Sequence, residues 1–369
     1  MDTVQKVLVV DDSGFFRRRI IDIIEKDSRF TVVGFAANGL EAIAKTKLLN
    51  PDIITMDQEM PGMDGIAATK AILAIRSIPI LMLSSLTFQG ARTTLDALEA
   101  GVVDFLPKNS EHSPSSTTLD FALIQKLEQL IHSRPKLNFT NYASMANQRI
   151  SSFTATNSAY KDSEKIQPSI SSRKIQKTTN NFHPQIIVIG ASTGGPIAVQ
   201  RIAESLSKPC NVPILIVQHM PALFTGPYAL RLGSRCELPV QEAKDGEFLQ
   251  AGHVYVAPGG KQLKLNTHGK KISIEEDESQ LYRPSVDETL LSANDHYAGA
   301  VLAIILTGMG SDGRVGAQKL REKGSKILIQ DEASCVVFGM PQAVMKVGAY
   351  DEILSLEDIG ERICAFYKN

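Results

Sequence analysis

The sequence predicts an α/β protein of two units, each a doubly wound parallel sheet, the second carrying a small antiparallel hairpin region. Three observations predict it. Short runs rich in Val, Ile and Leu, without period-2 alternation, recur in both halves, as strands buried on both faces do. Stretches of helical length separate the runs. Between the two series lies a polar stretch, residues 134–184, without sustained periodicity.

In order along the chain, KVLVV (6–10), TVVGFA (31–36), DIITM (52–56), IPILMLS (78–84) and VDFLP (103–107) are expected as strands. FRRRIIDIIEK (16–26) places Ile20, Ile23 and Ile24 on one helical face. These elements fill residues 1–133. The stretch 134–184 is rich in Ser, Thr, Asn and Lys, and reads as a flexible linker with 8 basic against 2 acidic side chains. A second series spans residues 185–369: QIIVIGAS (185–192), PILIVQH (213–219), AVLAIILTG (300–308) and SKILIQDE (325–332). Between them, GHVYVAPGG (252–260), KQLKLN and KKISIEED are expected as short antiparallel strands or hairpins.

At 369 residues the chain suits two or three domains. A net charge of −1 gives no reason to invoke attraction to nucleic acid or an acidic membrane. Beneath that neutrality, residues 1–133 and 185–369 are each mildly acidic and the stretch between them is basic. No apolar run reaches the roughly 18 residues that a membrane helix needs. The start, MDTVQKVLVVDD, lacks the apolar run of a signal peptide. A cytoplasmic location without membrane insertion is therefore expected. The cysteines Cys210, Cys236, Cys335 and Cys364 form no C-x-x-C pair, which leaves buried, unpaired thiols as their reading.

In open α/β sheets, function gathers at the carboxyl ends of the strands. In the first series Asp11 and Asp12 follow the first strand, Asp57 the third, Ser84 ends the fourth and Lys108 follows the fifth. Three carboxylates brought to one edge repel one another unless a cation sits among them, and Mg²⁺ suits such oxygen ligands. An Asp there can attack a phosphoryl group, with Lys108 neutralising the phosphoryl oxygens. Asp64, in PGMDG, is set aside as a solvated turn residue or a helix cap. In the second series Gly190-Ala-Ser192-Thr-Gly194 matches G-x-S-x-G after a strand. His219 ends the next strand, and Asp312 lies in TGMGSDG beyond AVLAIILTG. Hydroxyl, imidazole and carboxylate at neighbouring strand ends suit a nucleophile, its base and an orienting acid. The order Ser, His, Asp differs from the α/β-hydrolase order. Asp331 and Asp287 rival Asp312, whose Gly-rich setting favours it. Gly308 and Gly310, around Met309, allow a tight turn with N–H groups free for an oxyanion.

VVDDS, DQEMPGMDG, MLSS and FLPK resemble the receiver domain of bacterial response regulators. IGASTGGP, QHMPALFT, VAPGG, RPSVDE, LTGMGSDG, QDEASCVVFGMP and GAYDEIL look like the catalytic domain of chemotaxis protein-glutamate methylesterases. Together the two resemblances cover the chain except the linker. The first implies a flavodoxin-like fold and Asp57 as phospho-acceptor. It further implies Mg²⁺ held by Asp12, Asp57 and the Glu59 carbonyl with Asp11 assisting through water, Ser84 as switch hydroxyl and Lys108 at the phosphoryl group. The second implies Ser192 as nucleophile, His219 as base, Asp312 as its partner, and Thr193 and Met309 at the oxyanion, with no cofactor for the ester reaction. The implied partners are methyl-accepting chemotaxis receptors as substrate and a chemotaxis histidine kinase as phosphodonor. The implied activity is phosphorylation-controlled hydrolysis of glutamyl methyl esters, with deamidation of receptor glutamine. Asn109 stands where the receiver family usually has proline, Tyr282 where the esterase family often has His, and Ala222 and Leu223 replace a Pro and a Gly. A non-catalytic, phospho-switched adaptor of receptors is the alternative. A DNA-binding output lacks a helix-turn-helix pattern, and a nucleotide-binding second unit lacks a P-loop lysine.

Overall fold

A computed structural model describes residues 4–85, 87–108, 119–132, 182–206, 210–266 and 268–367. Asn109 and residues 134–181 of the expected linker lie outside the described residues. The first series forms β1 (Gln5–Val10), α1 (Gly14–Ile24), β2 (Phe30–Ala36), α2 (Gly39–Leu49), β3 (Ile53–Asp57), α3 (Gly65–Leu73), β4 (Ile80–Ser84), α4 (Phe88–Glu99), β5 (Asp104–Pro107) and α5 (Leu119–His132). Its sheet is parallel, in the order β2-β1-β3-β4-β5. Helix starts follow capping chemistry. Ser13, Asn38 and Thr87 accept N–H bonds from the first turns of α1, α2 and α4. Asp64 does the same for α3, accepting from the Ala67 N–H at 2.7 Å, so of its two expected roles it takes that of a cap.

The second series gives β6 (Ile186–Ala191), α6 (Gly195–Ser205), β7 (Ile214–Gln218), α7 (Ala222–Gly233), β8 (Val240–Glu242), β9 (Val254–Val256), β10 (Gln262–Asn266), β11 (Lys271–Glu275), α8 (Val286–Tyr297), β12 (Val301–Ile305), α9 (Arg314–Glu322), β13 (Lys326–Gln330), α10 (Met340–Lys346), β14 (Glu352–Leu354) and α11 (Leu356–Ala365). Seven parallel strands run β14-β13-β12-β6-β7-β9-β8, and β10 pairs antiparallel with β11. The hairpin expectation therefore holds for KQLKLN and KKISIEED and fails for GHVYVAPGG. Val254–Val256 instead joins the parallel sheet between β7 and β8, because all three residues are apolar and find a buried slot there. The three-residue strands β8 and β14 close the two edges.

Successive strand residues serve opposite faces of each sheet. In the first, Leu8, Ile54 and Met82 pack on one side and Val7, Ile53 and Leu81 on the other. In the second, Ile187 and Ile216 face one core and Val188 and Leu215 the other. Each such side chain stabilises the fold by roughly 1.5–3 kcal/mol. One core runs without a break from the first sheet's α4 side to α6 and α7. At that junction Phe105 stacks on Phe224 with centroids 4.5 Å apart. Phe182, assigned above to the linker, packs edge-on against Phe366 at 5.7 Å. The cysteines are all free, with Cys210 and Cys335 buried and Cys236 and Cys364 half-buried. Among the described residues no helix is long and apolar enough to cross a membrane.

Candidate active site

The second sheet reverses direction at β6. The chain passes from β6 to β7 on one side and later returns through β12 on the other. Ser192 follows β6, His219 follows β7 and Asp312 lies beyond β12, so three neighbouring strands deliver the three residues to one carboxyl edge. Backbone bonds fix the relation of the first two. The His219 N–H donates to the Ala191 carbonyl at 3.0 Å, and the Gln218 amide donates to the Ser192 carbonyl at 2.9 Å.

The imidazole Nε2 lies 2.7 Å from Asp312 Oδ2. A carboxylate only accepts, so Nε2 carries a proton and donates to Asp312. Nδ1 is buried and without a hydrogen-bond partner. The structure thus joins His219 to Asp312 but forms no bond between the imidazole and the Ser192 hydroxyl. Such contacts often tighten only once substrate is bound.

Asp312 is buried and held from several directions. It accepts from the backbone N–H of Val286, Asp287 and Gly313 and from the Ser285 hydroxyl, at 2.7–3.0 Å. Burial pushes its carboxyl up, but the hydrogen bond and charge of His219 and these N–H groups outweigh that and hold it below the ordinary value. Asp312 therefore caps the start of α8 from outside. Asp287, in the first turn of α8, returns the favour by accepting from the Gly316 N–H of α9 at 2.7 Å. Burial first, then the Asp312 charge, pushes Asp287 to about 6 against the pull of the α9 N–H groups. The rivals for the acid role are thereby placed. Asp287 braces Asp312, and Asp331 caps a turn through the Ser334 N–H and hydroxyl.

Met309 sits in the turn between Gly308 and Gly310. A Cβ on Gly308 would stand 2.8 Å from the Ser192 Cβ and 2.4 Å from Met340 Sδ, so only glycine lets this turn close on the serine. Thr193 points elsewhere than toward a reaction centre. Its hydroxyl contacts Asp104 Oδ2 at 2.6 Å and Gln129 Oε1 at 2.8 Å, and Lys126 lies beside them, paired with Asp104. These partners come from β5 and α5, so residues of the first sheet's unit sit against the residue next to Ser192. The same junction pairs Arg231 of α7 with Asp96 and Glu99 of α4, and Arg235 with Glu99. Burial pushes Glu99 up, but the two arginines prevail and hold it below its usual value. Asp104, Lys126 and Gln129 were not legible in the sequence, because nothing in their spacing links them to Ser192.

At the first sheet's edge, Asp11 and Asp57 are buried and Asp12 is exposed, and one carboxylate oxygen from each lies within 4.8 Å of the others. Lys108 Nζ pairs with Asp11 Oδ2 at 2.9 Å and Asp57 Oδ1 at 2.7 Å. Burial pulls this ammonium down, but its two carboxylate partners outweigh that and raise it. Asp57 is pushed to about 6, chiefly by burial and further by Asp11, with Lys108 opposing. Ser84 Oγ is buried without a partner, and the Glu59 N–H reaches Asp57 Oδ1 at 3.4 Å. A hard, all-oxygen donor set holding two buried carboxylates fits Mg²⁺.

The CheB methylesterase family model matches residues 187–363, and the response regulator receiver domain model matches residues 7–115. A protein-glutamate methylesterase/protein-glutamine glutaminase of Pseudoalteromonas translucida is 45% identical over 381 aligned residues, 97% of each chain. A protein of the same description from Vibrio parahaemolyticus is 45% identical over 366, again 97% of each chain. Among solved structures, the Thermotoga maritima CheB methylesterase catalytic domain is 42% identical, covers 49% of this chain and 98% of its own, and has a TM-score of 0.47.

Proposed function

Because this chain belongs to the CheB methylesterase family, with a receiver domain ahead of its hydrolase domain, we propose that it is a phosphorylation-activated protein-glutamate methylesterase and glutaminase acting on methyl-accepting chemoreceptors in the cytoplasm. On this reading the receiver occupies residues 1–133, a tether 134–184 and the esterase 185–369. The observation that carries it is the Nε2–Asp312 bond of His219 on the strand next to Ser192.

The chemistry follows from that geometry. Ser192 Oγ bonds to the ester carbonyl carbon while its proton passes to His219 Nδ1. Asp312 orients the ring and stabilises the imidazolium through Nε2–H. Backbone N–H groups at Thr193 and Met309 take the oxyanion. The carbon–methoxy bond breaks, and the methoxy oxygen leaves with the Nδ1 proton as methanol. Water then attacks the acyl-serine and gives its proton to Nδ1. The Ser192 oxygen departs with that proton, leaving a free glutamate. With a glutamine side chain, ammonia takes the place of methanol.

Asp57 is the proposed phospho-acceptor, supplied by a chemotaxis histidine kinase. Asp11, Asp12, Asp57 and the Glu59 carbonyl would hold Mg²⁺, which supplies charge neutralisation at the phosphoryl oxygens when bound. Lys108 adds a second positive charge there, and Ser84 offers its unpartnered hydroxyl to the phosphoryl group. Inhibition by cover is supported by the contacts of Asp104 and Gln129 with Thr193, which set β5 and α5 beside the residue next to Ser192. Phosphorylation would shift the population toward an uncovered state. The test is removal of residues 1–184. Basal ester hydrolysis should rise, and a rate unchanged or lower would overturn inhibition by cover.

A further inference from the structure

Among the described residues, the His219 imidazole makes one hydrogen bond. Asp312 anchors Nε2, while Nδ1, the atom that must meet the Ser192 proton, has no partner. A ring fixed at Cγ and at one nitrogen can still tilt about that line. Against one face of the imidazole lies Tyr282. Its ring lies nearly parallel to the imidazole, with centroids 4.4 Å apart and the planes inclined by 6°.

Tyr282 is itself braced by an element that has no part in the chemistry above. Its carbonyl accepts from the Gln262 amide at 2.7 Å, and the same side chain's oxygen accepts from the Ser285 N–H at 2.7 Å. Gln262 is fully buried at the start of β10, so the β10–β11 hairpin clamps residues 282–285. At the far end, Gly310 makes room for the phenol. A Cβ there would lie 2.7 Å from its hydroxyl, and its φ of 86° is a glycine conformation. Burial, and behind it the Asp312 charge, pushes the phenol above its ordinary value, so the ring stays neutral.

We infer that Tyr282, carried by Gln262 and the β10–β11 hairpin, is a positioning residue that fixes the plane of the His219 imidazole so that Nδ1 faces Ser192. The flat face does this, and the hydroxyl is dispensable. The inference rests on His219 being the base, as proposed above. A misplacement of about 1 Å in a reacting group costs up to roughly 100-fold in rate. Loss of the flat face should therefore appear in kcat, with KM little changed.

The test uses the full chain with a small phosphodonor and methylated receptor membranes, and measures kcat and KM for Tyr282→Phe, Tyr282→His, Tyr282→Leu and Tyr282→Met. The two flat replacements should hold kcat within about threefold of wild type. Leu and Met should each lower kcat by roughly 10- to 100-fold at nearly constant KM. Met fills the space flexibly and serves if Leu fails to fold. The inference is overturned if Leu or Met keeps the wild-type kcat, if Phe falls as far as Leu, or if the loss lies in KM. His219→Gln separates the two layers. Wild-type activity in that variant removes the base assignment and this inference with it. An inactive His219→Gln beside an unimpaired Tyr282→Leu removes this inference alone.

Discussion

Asp312 shows how far a single residue could be read from the sequence. Three acids competed for one role, and only the Gly-rich setting favoured Asp312. The structure separates them by partner: Asp312 reaches His219, Asp287 reaches the α9 backbone, and Asp331 reaches Ser334. Ser192, His219 and Asp312 were legible because each ends or follows an apolar run, and parallel sheets gather such ends at one edge. The stacking of Tyr282 on His219 was not legible, since aromatic contact leaves no spacing signal across 63 residues of separation. Two outcomes belong to this scale. Asp312→Asn presents an amide where Nε2–H needs a carboxylate, and turnover should fall about 10³- to 10⁴-fold with the fold intact. Gly308→Ala should push the Ser192 backbone aside and cut kcat at least tenfold; a melting curve and steady-state kinetics on one preparation would check it.

Elements hold these residues through reciprocal capping. Asp312, at the entrance to α9, satisfies the first N–H groups of α8, and Asp287, in α8, satisfies those of α9. Each helix start thus fixes the other, and the Asp312 carboxylate, the proposed partner of the base, is fixed between them. The sequence yielded the central strands well, because long Val and Ile runs resist other readings. It missed the placing of Val254–Val256, whose three-residue length matches a hairpin arm as well as an inserted strand. Asp287 carries a pH prediction. Its carboxyl rises from the ordinary 3.8 to about 6 on folding. Between those values the folded chain holds a proton that the unfolded chain has released, so this contribution to stability is present below 3.8 and lost as pH rises through about 6. Asp287→Asn keeps an oxygen to accept the Gly316 N–H and has no charge to bury. Its melting temperature relative to wild type should climb between pH 5 and pH 8. A constant difference across that range would contradict the shift.

For the whole molecule, the order of units and their mildly acidic charges were readable, and so was the basic composition of the stretch between them. The contact between units was not. Arg231, Arg235, Asp96 and Glu99 look in sequence like ordinary solvated charges on helices, and only folding sets them opposite one another. Their pairs are partly exposed, so each contributes roughly 0.2–1 kcal/mol to the contact between the units. Arg231→Glu replaces attraction by repulsion and should raise basal hydrolysis several-fold while shrinking the further gain from a phosphodonor, as paired assays would show. The central claim is a serine hydrolase governed by a phosphorylated receiver. Methanol release from methylated receptor membranes tests it most directly, with and without a phosphodonor, for wild type, Ser192→Ala and Asp57→Asn. The account predicts release by wild type that the phosphodonor stimulates, none from Ser192→Ala, and no stimulation of Asp57→Asn. Absence of release from wild type under both conditions, or full release from Ser192→Ala, would contradict it.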